Sequence, residues 1–188
     1  MEIYLIRHTK VSLSTEYCYG SSDISLSENF ISDFEKVKLK TPNLDNFEIH
    51  SSPLTRCKLL AEFLFPQEKI IYDEKLIEFS FGNWELKKWT DINKDEFNLW
   101  KEDFVNNKVP NGDSYFEVSK KVESFIEEKI LSSKKNKIII AHGGIIRPFI
   151  ANFIGLELKN SFKLKIDYGS VSKIKIDREL IHLEYLNL

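Results

Sequence analysis

Cysteine is scarce in this sequence, with two residues among 188. Cys18 and Cys57 lie far apart and match neither a zinc-ligand spacing nor a Cys-x-x-Cys redox motif. Reduced thiols in a cytoplasmic protein are the default interpretation of such a pair.

Long apolar runs and a dominant charge are also missing. No stretch approaches the roughly 18 apolar residues that a membrane span needs, and the chain begins directly with a strand pattern instead of a secretion signal. The formal net charge is −2, so the global basic footprint of a nucleic-acid binder is absent. We therefore expect a cytoplasmic protein without nucleic-acid or membrane partners, in which any anion site is made by locally placed cations.

The first informative stretch is an apolar strand that ends at two chemically useful side chains. Glu2–Ile6 is rich in strand-forming residues, and Arg7 and His8 follow it. In open α/β sheets, ligands bind beyond the carboxyl ends of the strands, so this pair is predicted to lie at a site. Arginine suits a phosphate or carboxylate, and a neutral histidine can act as nucleophile, base or metal ligand. From this stretch alone, a surface Arg-His pair is the simpler interpretation.

Three later segments end in similar chemistry. Arg56 falls in the first turn of a predicted helix, where a cation is usually disfavoured unless it is solvated or awaits an anion. Glu78 lies between apolar residues just past a short strand, as a general acid working near neutrality or as an exposed loop carboxylate. His142 ends a second buried strand, Ile138–Ala141.

Local signals also predict where helices begin and end. Ser27 is predicted to cap one helix, and Ser52 to cap another whose first residue is Pro53. Ser114 with Glu117 forms a capping-box pattern. Residues 89–104 are predicted to form a helix. This helix belongs to a helical excursion between strands, at about 86–112, that is expected to cover the site. Further along, Pro148 is expected in the first turn of a helix that Gly155 caps at its end.

Two strands close the chain, predicted over 171–176 and 180–185. The connection between them is tight, and tight connections make antiparallel pairs. One strand should therefore break an otherwise parallel sheet within a single domain spanning residues 1–188.

Together these segments predict a phosphoryl-transfer site that needs no metal. Two arginines and two histidines can meet the charge on phosphoryl oxygens, and a carboxylic acid can protonate a leaving group. No carboxylate cluster in these segments would hold magnesium. We accordingly expect no metal and no cofactor.

The same motifs resemble those of the histidine phosphatase (phosphoglycerate mutase-like) superfamily over essentially the whole chain. Arg7-His8-Thr9 resembles its Arg-His-Gly signature, Ser51–Arg56 its Ser-Ser-Pro-x-x-Arg motif, Leu76–Glu85 its Leu-x-Glu-x-x-x-Gly-x-Trp-Glu motif, and Ala141–Gly144 its second histidine motif. Within the superfamily the chain is most similar to alpha-ribazole phosphatases of cobalamin assembly, through Cys18–Asp23, Trp100–Phe104 and Asp167–Ser172. Thr9 and Leu86 depart from the pattern, since each stands where glycine is usual.

The resemblance implies a fold and a mechanism. The fold would be a three-layer α/β/α sandwich with a mostly parallel mixed sheet of about six strands, one of them antiparallel. His8 would become a phosphohistidine, Glu78 would protonate the leaving group, and Arg7, Arg56 and His142 would hold the phosphate. Backbone N–H groups at Gly20 and Gly143 and the hydroxyl of Ser14 would add contacts to the substrate.

The leaving-group side leaves alternatives open. An aromatic wall for a flat base could be formed by the loop Tyr17–Asp23 with Phe81, Trp84, Trp89 and Trp100, although those on helical stripes are more simply core residues. An alpha-ribazole 5'-phosphate phosphatase is the leading interpretation. A broad-specificity phosphatase, a phosphoglycerate mutase-like enzyme and a non-catalytic phospho-ligand binding protein are the alternatives. The expected partner is a small phosphomonoester, and a homodimer is compatible with the sequence.

Overall fold

The computed structural model describes residues 1–41, 46–178 and 180–188. Its strands are β1 Glu2–Arg7, β2 Phe47–Ser51, β3 Ile70–Tyr72, β4 Asn136–Ala141, β5 Val171–Asp177 and β6 Leu180–Tyr185. Its α-helices are α1 Phe30–Lys40, α2 Thr55–Leu64, α3 Lys94–Glu102, α4 Tyr115–Phe125 and α5 Gly143–Ile154. The sequence also predicts a chain break at Pro42-Asn43 and Asp45-Asn46, of which Pro42, Asn43 and Asp45 lie outside the described residues, as does Glu179 in the connection between the last two strands.

The strands form one mixed sheet in the order β3-β2-β4-β1-β5-β6. β1, β2, β3 and β4 pair in parallel, whereas β5 is antiparallel to both β1 and β6. The prediction of about six strands with one antiparallel strand is therefore confirmed. β1 and β4 lie side by side at the centre, with Arg7 opposite Ala141.

Helices cover both faces of the sheet, so the predicted three layers are confirmed. Successive side chains of a strand point to opposite faces. Accordingly Ile3 and Leu5 of β1 join one apolar cluster, and Tyr4 and Ile6 join the other. The first cluster includes buried residues of α4 and α5, and the second those of α1 and α2.

Several predicted helix boundaries are wrong, and long-range contacts explain one of them. α2 begins at Thr55 and not at Pro53. The carboxylate of Asp23, 32 residues away, accepts hydrogen bonds from the Thr55 N–H (2.9 Å) and hydroxyl (2.6 Å), while Ser52 Oγ lies 2.8 Å from His142 Nε2. A distant loop therefore caps the first residue of the helix, while Ser52 Oγ accepts from the N–H of Leu54 at 3.4 Å, just before the helix begins.

Other local predictions divide between confirmed and wrong. α1 begins at Phe30 after Asn29, so Ser27 is not its cap. Pro148 lies at the sixth residue of α5 and not in its first turn. The capping box of Ser114 is present, and Gly155 ends α5 in the left-handed conformation with φ 66°.

The excursion after the third strand is less helical than predicted. It contains a 3₁₀ turn, Trp89–Asp91, followed by α3, whose cap Asn93 accepts hydrogen bonds from the N–H groups of Asp95 and Glu96. The predicted single helix over 89–104 is therefore two shorter pieces. Within the described residues, no helix has both the length and the apolar character needed to cross a membrane.

Candidate active site

The two predicted histidines meet because their strands are parallel neighbours. β1 and β4 end at the same level, and the N–H of His8 donates to the carbonyl of Ala141 at 3.1 Å. The imidazole rings of His8 and His142 lie edge to face with centroids 5.0 Å apart. The spatial prediction made from the two strand ends therefore holds in the structure.

His8 is oriented as a nucleophile. Its Nδ1 lies 2.7 Å from the carbonyl oxygen of Thr9, an acceptor, so Nδ1 carries the proton and Nε2 keeps its lone pair. Burial, together with the guanidinium groups of Arg56 and Arg7, holds the pKa of His8 well below its usual range. The imidazole is consequently neutral near pH 7 and available for attack.

Arg56 is fully buried and held by the backbone of a loop. Its Nη1 donates to the carbonyl of Ser22 at 2.8 Å and its Nη2 to that of Gly20 at 2.6 Å, while Nε lies 3.3 Å from His142 Nδ1. A guanidinium has five N–H donors, so these three contacts leave two for an anion. Backbone carbonyl dipoles thus stabilise this cation in the first turn of α2.

His142 links Arg56 to Ser52. Because Nδ1 accepts from a guanidinium, the ring proton is on Nε2, which donates to Ser52 Oγ at 2.8 Å. Burial and the nearby His8, Arg56 and Arg7 hold the pKa of His142 well below its usual range. Both nitrogens are engaged, so a direct contact from His142 to a phosphate requires one of these two hydrogen bonds to be exchanged.

Arg7 lies on the other side of His8. Its Nη1 donates to the carbonyl of Ile166 at 2.5 Å, and its guanidinium carbon lies 3.8 Å from the centre of the Tyr168 ring. Within the described residues, Arg7 Nε is buried without a hydrogen-bond partner. An unpaired buried donor is costly unless a ligand satisfies it, which fits a site for an anion.

Two tyrosines that were not predicted as site residues connect the arginines. The hydroxyls of Tyr19 and Tyr168 lie 2.6 Å apart, and the Tyr19 ring lies 5.7 Å from the Arg56 guanidinium carbon. Burial raises the pKa of Tyr19, so the hydroxyl remains protonated and able to donate. Tyr19 falls in the loop suggested for the aromatic wall and Tyr168 in a subgroup motif, and no local signal indicated that they would meet.

Glu78 lies across from the histidines, next to the start of α5. Its Oε2 accepts a hydrogen bond from the N–H of Gly144 at 3.1 Å, and its Oε1 accepts one from Phe79 at 3.0 Å. A Cβ added to Gly144 would lie 2.2 Å from Oε1. Glycine is therefore required at position 144 for the carboxyl group to approach the helix.

Two adjoining cavities share Glu78. The strand-end cavity, of about 240 Å³, is lined by Arg7, His8, Thr15, Tyr17, Tyr19, Arg56, Glu78, Phe81, Trp89 and Tyr168. The aromatic pocket, of about 300 Å³, is lined by Glu78, Phe79, Phe81, Trp89, Trp100, Phe104, Tyr115, Gly144, Arg147 and Phe162. Because Glu78 lines both cavities, it can contact a substrate that spans them.

The residues suggested for an aromatic wall divide between the two cavities and the core. Tyr17 and Tyr19 of the loop line the strand-end cavity. Phe81, Trp89 and Trp100 line the aromatic pocket. Trp84 does not, because it is buried in the core and donates its ring N–H to Glu96 at 3.2 Å. Phe104 and Phe162, which were not predicted, complete the wall, and Phe162 comes from the turn after α5.

The structure places Gly20, Ser14 and Gly143, the three further residues predicted to contact the substrate, in different surroundings. Gly20 does not offer a free N–H, since that group donates to Glu85 Oε2 at 2.9 Å, and its role is instead to hold Arg56 through its carbonyl. Ser14 is exposed, and its hydroxyl accepts from the N–H of Glu16 without lining the strand-end cavity. Gly143 lies beside Arg7, where an added Cβ would be 3.4 Å from the guanidinium carbon.

Glu85 and Leu86 fasten the loop that carries Gly20. The Glu85 carboxylate accepts from the N–H groups of Gly20, Ser21 and Phe81, and these and other hydrogen bonds lower its pKa despite burial, which acts to raise it. Leu86 has φ 65° and donates its N–H to the carbonyl of Cys18 at 2.7 Å. The glycine-like path thus persists, although the left-handed conformation costs an L-residue about 1–2 kcal/mol.

Thr9, the other departure from the pattern, is accommodated in the core. The side chain is buried, and its backbone carbonyl supplies the acceptor for His8 Nδ1. The β-branched residue therefore leaves the orientation of His8 intact.

Among the described residues, no group of three or more histidine, cysteine or acidic side chains is placed to hold a metal ion.

Comparison with known proteins identifies relatives along the whole chain. The family model described as "Histidine phosphatase superfamily (branch 1)" matches residues 3–188. A Hydrogenobacter thermophilus protein provisionally named phosphoserine phosphatase 2 is 32% identical, with 98% of this chain and 94% of that protein covered. The adenosylcobalamin/alpha-ribazole phosphatase of Escherichia coli is 23% identical, with 100% and 96% covered.

Solved structures show the same fold. The alpha-ribazole phosphatase of Shigella flexneri superposes with a TM-score of 0.92 at 24% identity, covering 100% of this chain and 96% of that one. A phosphoserine phosphatase mutant of Entamoeba histolytica, solved with phosphoserine, gives 0.80 at 20% identity, covering 99% and 96%. At these identities the likeness establishes the architecture and leaves the substrate to be argued from the site.

Proposed function

The chain belongs to the histidine phosphatase superfamily and is a phosphoric monoester hydrolase, and from this premise we propose that it forms a phosphohistidine on His8 and acts on alpha-ribazole 5'-phosphate. The observation that carries the mechanism is the hydrogen bond from His8 Nδ1 to the Thr9 carbonyl, which leaves Nε2 unprotonated on the wall of the strand-end cavity. Glu78 lines the same cavity.

The first chemical step transfers the phosphoryl group to the protein. His8 Nε2 attacks phosphorus, the bond from phosphorus to the ester oxygen breaks, and protonated Glu78 gives its proton to that oxygen. Arg7 and Arg56 hold the phosphoryl oxygens with donors that the protein leaves unpaired, and thereby stabilise the charge in the transition state. These guanidinium groups supply the positive charge on which a metal-independent mechanism depends.

The second step returns the enzyme to its starting state. A water molecule attacks phosphorus from the side vacated by the alcohol, the carboxylate of Glu78 takes a proton from the water, and the nitrogen–phosphorus bond breaks. His8 regains its lone pair, and inorganic phosphate leaves. Glu78 is placed for both proton transfers because it faces both cavities.

The aromatic pocket supports alpha-ribazole as the leaving group. Its volume of about 300 Å³ and its wall of Phe81, Trp89, Trp100 and Phe104 suit a flat aromatic base attached to a ribose. A relative named adenosylcobalamin/alpha-ribazole phosphatase aligns along the full chain. A cytoplasmic location belongs to the same proposal, and free, buried Cys18 and Cys57 support it.

Phosphoserine is the second candidate substrate. The observation in its favour is the relative named as a phosphoserine phosphatase, which is 32% identical over nearly the whole chain. The pocket argues the other way, because a small zwitterion would leave most of the aromatic surface uncovered.

Two measurements test this proposal. Rapid mixing with a ³²P-labelled substrate at neutral pH should trap phosphate on His8, and His8→Ala should hold no label and lose turnover while melting at the same temperature. Initial rates with alpha-ribazole 5'-phosphate, phosphoserine and 3-phosphoglycerate should rank the first highest. Turnover by His8→Ala at the wild-type rate would refute the mechanism. A higher kcat/KM for phosphoserine would make phosphoserine the preferred substrate in place of alpha-ribazole 5'-phosphate.

A further inference from the structure

The aromatic pocket contains a cation that the mechanism above does not use. Of the residues described around this pocket, Glu78 and Arg147 are the charged ones, and the others are apolar, aromatic or glycine. Arg147 lies on α5, three residues after Gly144, which contacts Glu78. The same helix therefore supports the predicted general acid and presents a guanidinium to the space where the leaving group would lie.

Arg147 is held in place without a carboxylate. Its Nε donates to the carbonyl of Leu164 at 3.1 Å, and its guanidinium carbon lies 5.1 Å from the centre of the Phe162 ring. Within the described part of the chain, its Nη groups make no hydrogen bond and it forms no ion pair. Burial lowers the pKa of Arg147, as expected for a cation partly removed from water.

Arg147 lies near the boundary between the aromatic pocket and the strand-end cavity. A Cβ added to Gly143 would lie 2.9 Å from Arg147 Nη1 and 3.4 Å from the guanidinium carbon of Arg7. The two guanidinium groups therefore both lie close to Gly143. A substrate whose phosphate reaches Arg7 must place its leaving group within the field of Arg147.

The charges around a bound substrate indicate which leaving groups Arg147 would attract or repel. The two negative charges of a monoester phosphate are met by Arg7 and Arg56, and Glu78 is neutral when it acts as the acid. Arg147 is then left without compensation in a pocket that is otherwise aromatic. Charges interact strongly where water is largely excluded, so a cationic leaving group would be repelled and an acceptor or anion attracted.

We propose that Arg147 is a specificity residue that excludes cationic leaving groups from the aromatic pocket and favours aromatic leaving groups that are neutral or anionic. The inference rests on the proposed function and narrows its substrate class. Alpha-ribazole, which is aromatic, uncharged and rich in acceptors, falls within that class. Phosphorylated quaternary ammonium alcohols and aryl phosphates with a cationic substituent fall outside it.

Three aryl phosphates of matched shape test the proposal. Phenyl phosphate, 4-carboxyphenyl phosphate and 4-(trimethylammonio)phenyl phosphate differ mainly in the charge of the leaving group. Their kcat/KM values are measured for wild type, Arg147→Gln, Arg147→Lys and Arg178→Gln, where Arg178 is an exposed arginine in the turn after β5. The intrinsic reactivity of each ester cancels when the anion-to-cation ratio of a variant is divided by that of wild type.

The expected result is a change in that ratio and not in overall rate. Arg147→Gln should lower the anion-to-cation ratio by about tenfold or more, Arg147→Lys should retain most of it, and Arg178→Gln should leave it unchanged. An equal loss for all three substrates, with a shifted pH profile, would overturn the proposal and indicate that Arg147 acts through Glu78.

A measurement on the wild-type protein covers the case in which Arg147→Gln does not fold. The alcohols of the three substrates are compared as inhibitors, and 4-hydroxybenzoate should bind more tightly than the trimethylammonio phenol. Equal inhibition would also overturn the proposal. If wild type hydrolysed none of the esters and carried no phosphate on His8, the proposed function would be refuted. If hydrolysis were normal and Arg147→Gln left the anion-to-cation ratio unaltered, only the inference about Arg147 would be refuted.

Discussion

The strand-end cavity and the aromatic pocket share Glu78 but are built by different means. The strand-end cavity gathers its polar groups mainly from the end of β1, the loop that follows it and the first turn of α2, and backbone carbonyls hold His8 and Arg56 in place. The aromatic pocket gathers side chains from the turn at residues 79–89, from α3, α4 and α5, and from the turn after α5. The first provides positions accurate enough for chemistry, and the second provides shape and charge for selection.

The difference has a consequence for which changes are tolerated. In the strand-end cavity, His8 and Arg56 are buried, and Arg56 contacts His142, which bonds in turn to Ser52, so removing one group leaves another unsatisfied. Phe162 of the aromatic pocket, in contrast, is partly exposed and packs against the rings of Phe104 and Tyr115. Substitutions in the strand-end cavity should therefore affect every substrate, whereas those in the aromatic pocket should affect only some.

The largest effect that would test this division is the loss of Arg56. Arg56→Gln removes a buried fork that binds two backbone carbonyls and has two donors left for phosphate. We expect kcat/KM to fall by about 100-fold or more, as for loss of a buried charged contact, and by similar factors for alkyl and aryl esters. Melting temperature should also fall. Arg178→Gln is the matched control, and a loss confined to aryl substrates would contradict the division.

An intermediate effect should come from Glu78, where the two cavities meet. Glu78→Gln preserves shape but removes the transferable proton. Steady-state kinetics should show a loss of about 100-fold for alkyl phosphates, within the range for general acid catalysis, and little loss for 4-nitrophenyl phosphate, whose phenol leaves without assistance. Uniform loss across leaving groups would mean that Glu78 contributes binding and not a proton.

The smallest expected effect is the pH dependence of the free energy of unfolding. Burial, with nearby cations, lowers the pKa values of His8 and His142 in the strand-end cavity, and burial likewise lowers that of His50. Between those values and about 6.5 the unfolded chain binds more protons than the folded one, so stability is complete above about pH 6.5 and declines as the pH falls. Urea unfolding at pH 7.5, 6.5 and 5.5 measures this.

His50 offers an internal comparison for that measurement. It lies on β2, and both of its ring nitrogens are buried without a hydrogen-bond partner among the described residues. His50→Phe should flatten part of the pH slope without altering kcat/KM. An unfolding free energy that did not change between pH 7.5 and 5.5 would show that these histidines are not held neutral by the fold.

Local patterns in the sequence predicted much of the scaffold correctly. The apolar run of β1, the capping box at Ser114 and the αL glycine at 155 depend on a residue's own neighbours, and the structure confirms each. Leu59 shows the limit of such patterns, because it follows the helical stripe of α2 yet is 38% exposed. Whether a stripe residue is covered depends on what packs against it, and periodicity does not carry that information.

The candidate site divides along the same line. Arg7, His8, Arg56, Glu78 and His142 were identified because each follows a strand or begins a helix, and the structure brings them together. Tyr19, Tyr168 and Arg147 were missed, since an isolated tyrosine or arginine in a loop or on a helix has no distinguishing spacing. The true cap of α2, Asp23, was missed because it comes from another segment.

By itself the sequence determined the order of strands and helices and the reactive groups at their ends, because hydrogen bonding and hydrophobic periodicity act over a few residues. Only the tertiary structure decided that Thr9 orients His8, that a pair of tyrosine hydroxyls joins the two arginine environments, and that Arg147 faces an aromatic wall. Those relations join side chains through space, and their energies depend on burial and distance, which exist only once the chain has folded.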